Sequence, residues 1–297
     1  MVVVLTCFCA LAQQPKVRKV TANGVSFNMV QVEGGRFNMG GTCEQLGKNF
    51  RPEDDEYPIH VVTLDDYFIG ETEVTQRLWQ AVMGDNPSGF TGDLDLPVER
   101  VMWIECQTFV SKLSELTGID FRLPTESEWE YAARGGKYSQ HYIFSGSDDV
   151  DEVSWHTGSS THVVGQLKPN ELGLYDMSGN VFEWCQDWKA DYDMFPAENP
   201  TGPEDGENRI RRGGSWGGSP NGQRVSYRNY ELPNIRWNYI GMRLAASEID
   251  DLPSGIVNVE TPAPTSGSDN RYNVAGQPIG NDYKGVVIED GKKIFVK

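Results

Sequence analysis

"FRLPTESEWEYAARGG", residues 121–136, is the stretch in which the architecture is most legible. Thr125 followed three positions later by Glu128 has capping-box spacing, in which each side chain satisfies the other's backbone amide at a helix start. The pair Gly135–Gly136 supplies a stop, because glycine enters the left-handed backbone that ends helices without steric cost. Two further helices are predicted upstream. "YFIGETEVTQRLWQAVMG" (67–84) reads as a strand running into a helix, with Thr75 as N-cap, Val74 and Trp79 as a hydrophobic staple and Gly84 as the end. "MWIECQTFVSKLSELTG" (102–118) places Cys106, Phe109, Val110 and Leu113 on one helical face and ends at Gly118.

Before these helices, "GVSFNMVQVEGGRFNMG" (24–40) alternates apolar and polar residues around glycines and predicts a hairpin, with residues 13–25 as a leader. After the third helix, short strands and long loops run to about Ala246. The stretch 248–270 is rich in Pro, Ser, Thr and Gly and reads as a linker. In the last piece, 271–297, Val286–Ile288 and Ile294–Val296 flank an Asp290-Gly291 turn and predict a second hairpin. The expectation is an α+β chain with one large domain over 25–247 and a small β tail.

The 297 residues suffice for a sizeable core, and 38% hydrophobic content with 8 Trp, 12 Tyr and 12 Phe argues against disorder. A formal net charge of −17 disfavours nucleic-acid backbones, which are bound by neutralising their phosphates. Residues 1–12, "MVVVLTCFCALA", end in small-x-small before Gln13 and read as the close of a signal peptide, implying an extracytoplasmic protein. Thr6 and Phe8 disfavour lipidation at Cys7 or Cys9, and a buried N-terminal strand is the plain alternative. No later segment has the ~20 apolar residues of a membrane span. Cys43, Cys106 and Cys185 lack C-x-x-C spacing and are expected to fill core space.

Three stretches together resemble the formylglycine-generating enzyme family, the sulfatase-modifying factors: "FRLPTESEWEYAARGG", "NELGLYDMSGNVFEWCQDW" (170–188) and "RIRRGGSW…YRN…IGMRLA" (209–246). The resemblance implies the family's variant of the C-type lectin fold, with short twisted sheets, few helices and much irregular structure. It also implies a structural Ca2+ at Asp176, Gly179, Val181 and Glu183, two carboxylates bracketing a glycine bend whose carbonyls turn inward. The alternative reading of the same residues is an ordinary turn, with Asp176 capping an amide and Glu183 meeting an arginine.

The family's oxidases oxidise a substrate cysteine with copper held by two thiolates, soft ligands suited to Cu(I). Those thiolates fall at the second and seventh positions after the aromatic of Gly-Gly-Ser-aromatic. Counted from Trp216, these are Gly218 and Gln223, so copper is not expected and catalytic residues are none. The related iron-dependent sulfoxide synthases take metal histidines largely from an attached helical domain; without paired histidine spacing in this sequence, that activity is not expected.

A surface remains as the functional candidate: Ser215, Trp216, Gly218, Gln223, Arg224, Tyr227, Arg228, Tyr230, Arg236, Trp237 and Tyr239. Tyr, Trp and Arg interleaved with Gly, Asn and Ser have the composition of a binding paratope, resembling the variable receptor proteins of diversity-generating retroelements. A protein, peptide or glycan ligand is expected, without the E-P-N or W-N-D motifs of calcium lectins. Family members also serve as envelope components of gliding and secretion machineries in Bacteroidetes-type bacteria. That makes a purely structural envelope part, or an oxidase with an atypical centre, the rival readings.

Overall fold

Three capped helices form where their end signals stand. In the computed structural model, residues 15–41 and 50–250 are described in full, with the backbone of three strands at 271–273, 285–289 and 292–296. Helix α1 (Gln76–Met83) starts where Thr75 Oγ1 accepts the Leu78 amide and ends at Gly84, φ 90°. Helix α2 (Trp103–Thr117) buries Cys106, Phe109, Val110 and Leu113 and ends at Gly118, φ 74°. Helix α3 (Glu126–Ala133) has the reciprocal box: Glu128 N–H to Thr125 Oγ1 at 3.2 Å and Thr125 N–H to Glu128 Oε2 at 2.8 Å. All of α3's residues are buried, acids included, so it is a central helix needing polar partners on every side.

The main sheet has five strands in the order β1 (Val17–Ala22), β2 (Val25–Val32), β5 (Tyr67–Gly70), β14 (Ala245–Ala246) and β6 (Phe121–Arg122). It divides the interior, because successive strand residues point to opposite faces. Met29 and Phe68 join α1 and α2 in one core, whereas Val30 and Ile69 join α3 in the other. A second sheet of four strands, β12 (Asn229–Glu231), β11 (Arg209–Arg212), β9 (Phe182–Trp188) and β13 (Ile240–Met242), spans the same divide. In β9, Trp184 enters the first core and its neighbour Cys185 the second. On the α3 side, β3 (Gly35–Met39) pairs with β4 (His60–Leu64), to which β10 (Ala197–Glu198) adds in parallel. A parallel pair, β7 (Ser154–Trp155) and β8 (Ser178–Gly179), leads into the candidate calcium bend.

Two expectations move. The leader over 13–25 contains β1, which pairs with β2 from Val17↔Val30 to Ala22↔Val25, so the domain begins before residue 25. The hairpin therefore lies one strand earlier than the alternation suggested. Its turn is Asn23-Gly24, both at positive φ (47° and 80°), the arrangement that matches strand twist. Strands β2 and β3 do not pair with each other; they belong to different sheets. Cys106 and Cys185 are free and buried, and they fill space as expected. The signal-peptide reading at 1–12, Cys43 and most of the linker fall outside the described residues.

From Asp251 onward the chain forms a separate unit. Its strands β15 (Arg271–Asn273), β16 (Gly285–Glu289) and β17 (Lys292–Val296) make an antiparallel sheet. Val286↔Phe295 and Glu289↔Lys292 pair in the hairpin register that the tail sequence predicts, and Asp290-Gly291 fall outside the described residues. Among the described residues no helix is long and apolar enough to cross a membrane.

Candidate functional site

After β11 the chain bends through Gly213 and Gly214, at φ 93° and 79°. A Cβ on Gly214 would lie 2.1 Å from Gln223 Oε1 and 2.5 Å from the Gly222 carbonyl, so only glycine fits. The bend brings the two copper positions face to face: a Cβ on Gly218 would stand 2.5 Å from Gln223 Nε2. Gln223 is fully buried, and its amide donates to the carbonyls of Ser215 (3.3 Å) and Ser219 (3.2 Å). Its Oε1 has no hydrogen-bond partner among the described residues. A glutamine side chain thus fills the space between these positions, and neither position carries a sulfur. Cys106 and Cys185 lie in different cores, with thiols pushed well up by burial. These residues do not fit Cu(I), which needs soft ligands. Ser215 is buried, and half-buried Trp216 meets Phe90 edge-on at 5.4 Å while its indole donates to the Asn238 carbonyl.

At the candidate calcium bend, Asp176, Gly179 and Asn180 all have positive φ (57°, 92° and 56°). Asp176 is buried; its Oδ2 accepts the Gly165 amide at 2.7 Å, and its Oδ1 has no hydrogen-bond partner among the described residues. Burial pushes this carboxyl up to about 6. Glu183 does not present an open carboxylate. Its Oε1 takes Arg243 Nη2 at 2.6 Å, and its Oε2 takes Trp129 Nε1 at 2.6 Å and Arg243 Nε at 2.9 Å. The alternative of a turn, with Asp176 capping an amide and Glu183 paired to an arginine, is what the side chains adopt. Glu73 also enters, accepting Asn180 Nδ2 at 2.7 Å and the Val181 amide at 3.1 Å. Three buried carboxyls therefore share Arg243, and burial with Asp176 and Glu183 nearby pushes Glu73 well up. The surplus of carboxyl groups and the orphaned Asp176 Oδ1 fit a hard cation; Glu183, as it is paired, contributes no free oxygen.

The proposed ligand residues divide sharply. Arg224 is fully buried, with Nη2 and Nη1 on Glu56 Oε1 and Oε2 at 2.6 and 2.8 Å. Arg228 is buried too, bidentate on Glu126 at 2.7 and 2.8 Å and stacked 3.8 Å over Tyr192. Neither is free to touch a ligand, because each neutralises a carboxylate that burial would otherwise leave unpaired. Tyr227 is half-buried, and its carbonyl accepts from Arg212.

Tyr230, Arg236 and Trp237 are exposed. Trp237 stacks parallel to half-buried Tyr239 at 5.8 Å, its indole donating to Glu231 Oε2, and Arg236 pairs with Glu105. Beside them lies a group that sequence reasoning missed. The Arg209 guanidinium is held between Trp103 (3.7 Å) and Trp188 (3.4 Å), and Arg211 lies over Phe182 (4.5 Å) and Tyr239 (5.4 Å). Desolvation lowers Arg209 to about 10, and its buried Nε, like Arg211 Nη1, has no hydrogen-bond partner among the described residues. The signal was available: Phe182, Trp184, Gln186 and Trp188 alternate along β9, opposite Arg209 and Arg211 on β11.

An α+β domain of short curled sheets, bent through paired glycines into an irregular aromatic segment, is the class that this geometry defines. The family model for the sulfatase-modifying factor enzyme 1-like domain matches residues 13–248, and the chain belongs to that family. It is 37% identical over 258 residues to the chaperone protein LppX of Paenibacillus barcinonensis, covering 68% of this chain and 83% of LppX. It is 29% identical to the formylglycine-generating enzyme of Streptomyces coelicolor, covering 76% of this chain and 90% of that protein. Among solved structures, Treponema denticola variable protein 1 superposes with a TM-score of 0.70 at 33% identity, over 79% of this chain and all of that one.

Proposed function

We propose that this chain is a non-catalytic member of its family that binds a polypeptide through the aromatic and arginine face around Trp237, Tyr239, Arg209 and Arg211. The observation that carries the reading is the buried Gln223 side chain packed against Gly218, where the family's oxidases hold two thiolates. The face supplies what such binding uses: stiff aromatics braced by the Arg209 and Arg211 guanidinium groups, with Tyr230 and Trp237 open to solvent. A relative named a chaperone, and a similar structure named a variable protein, support a protein-handling role.

An extracytoplasmic location belongs to this reading and rests on the apolar segment 1–12. A structural calcium belongs to it as well, with Asp176 Oδ1 and the carbonyls of Gly179 and Val181 as its ligands and Glu183 held beside it by Arg243. Elemental analysis after gel filtration is expected to give about one calcium per chain.

The test is paired. A cysteine peptide of the sulfatase type, incubated with the protein, copper and oxygen, is expected to yield no aldehyde; turnover would restore the oxidase reading. Wild-type protein is expected to retain a subset of an immobilised short-peptide array that the Trp237→Ala/Tyr239→Ala variant loses at unchanged melting temperature. Equal retention by both proteins would reject the binding face and leave a purely structural envelope role.

A further inference from the structure

The chain between β9 and β11 folds back over the start of α3 and lines an open cavity of about 380 Å³. Met39, Trp188, Tyr192, Phe195 and Pro203 give it apolar and aromatic walls. Asp187 reaches into it from β9 and is only 5% exposed. Its Oδ2 accepts the Glu126 amide at 2.8 Å, at the first turn of α3. Its Oδ1 lies beside Gly202, whose Cβ would stand 3.3 Å away. A carboxyl this buried, held by one backbone amide and lining an aromatic-walled cavity, is a costly arrangement without a charged partner.

The other charges around the cavity do not supply one. Arg228 is spent on Glu126 through two bonds, and Lys189 pairs with Asp191 at 2.7 Å. Asp193 stands exposed, capping the Phe195 amide, and the His60 ring packs on Tyr192 at 4.6 Å with Nδ1 against the Pro58 carbonyl. The unmatched charge is therefore acidic. Phe195 is 68% exposed, an apolar ring presented to solvent with no core to enter.

We propose that this cavity is a binding site for a small organic cation, an alkylammonium head against Asp187 Oδ1 with its apolar body among the aromatic walls. The cavity's size suits a single amine of amino-acid dimensions. Burial, with Glu126 and Glu128 adding repulsion against the pull of Arg228, pushes Asp187 up to about 8. The carboxyl is then protonated in the empty cavity at neutral pH, and a cation binds in exchange for that proton. Affinity rises as pH passes through about 8.

Calorimetric titration of the full chain with n-butylammonium, and with neopentyl alcohol as a neutral control, tests this. Saturable ammonium binding with proton release is expected, with the alcohol bound far more weakly. Asp187→Asn keeps an acceptor for the Glu126 amide and is expected to melt no lower than wild type while binding n-butylammonium ~10-fold more weakly. Phe195→Ala, a change at an exposed position, is expected to weaken it severalfold. The Trp237→Ala/Tyr239→Ala variant is expected to bind the ammonium as wild type does, which separates this site from the polypeptide face. Absence of saturable binding, equal affinity for the alcohol, or unchanged affinity in Asp187→Asn would overturn the proposal.

Discussion

Arg224 and Arg236 come from one segment, yet they live in opposite environments. Arg224, with Arg212, Arg228 and Arg243, is buried, and each meets a glutamate from a distant part of the chain: Glu56, Glu130, Glu126 and Glu183. Arg236 is exposed in the company of Trp237 and Tyr230. The difference teaches that residue type alone does not mark a binding face. An arginine becomes a framework element when a carboxylate is already waiting behind it, because a buried charge must be matched.

Substitutions can break this contrast. Arg224→Met leaves Glu56 buried and uncompensated and is expected to cost ~3–5 kcal/mol in denaturant unfolding; adding Glu56→Gln should recover much of it. Gly214→Ala forces a side chain into the left-handed region against Gln223, and a loss of ~1–3 kcal/mol is expected. Thr125→Ala removes the α3 cap and is expected to cost ~1 kcal/mol.

Glu99 sharpens the comparison, being a buried acid with no arginine bonded to it among the described residues, although Arg100 attracts it from nearby. Its Oε1 takes the Phe90 amide at 2.7 Å, its Oε2 has no hydrogen-bond partner among the described residues, and burial raises it from 4.5 to about 7. The folded state holds this proton more tightly than the unfolded chain. Its contribution to stability is therefore complete below about 4.5 and is lost as pH climbs through about 7. Glu99→Gln should flatten that part of a melting-temperature profile and raise the melting point above neutrality. Smallest of all, Trp237→Ala is expected to change stability by under ~1 kcal/mol while lowering peptide retention.

Much of the fold was legible locally. Thr125, Glu128, Thr75 and the glycines at 84 and 118 mark helix ends by bonds made within a few residues, and those helices stand where the signals put them. Strand β1 was missed because "VRKVTA" gains its meaning only by pairing with β2, an interaction between segments. Arg224 and Arg228 were misread for the same reason, since Glu56 and Glu126 lie far away in sequence. Trp103, Trp188 and Arg209 escaped notice because a stack of three side chains from two strands and a helix leaves no contiguous motif. The facing of 218 and 223 needed only the spacing after Trp216, and the geometry puts them together.

The tight contact between Gly218 and Gln223 sets an order on any installation of a thiol pair at these positions. A cysteine introduced at 218 alone would collide with an amide that is sealed in and has nowhere to swing. Shortening position 223 opens the gap without harm to its neighbour, so that exchange must come first. Descent from an oxidase would have faced the mirror of this constraint: glutamine could settle only after the opposite sulfur had gone.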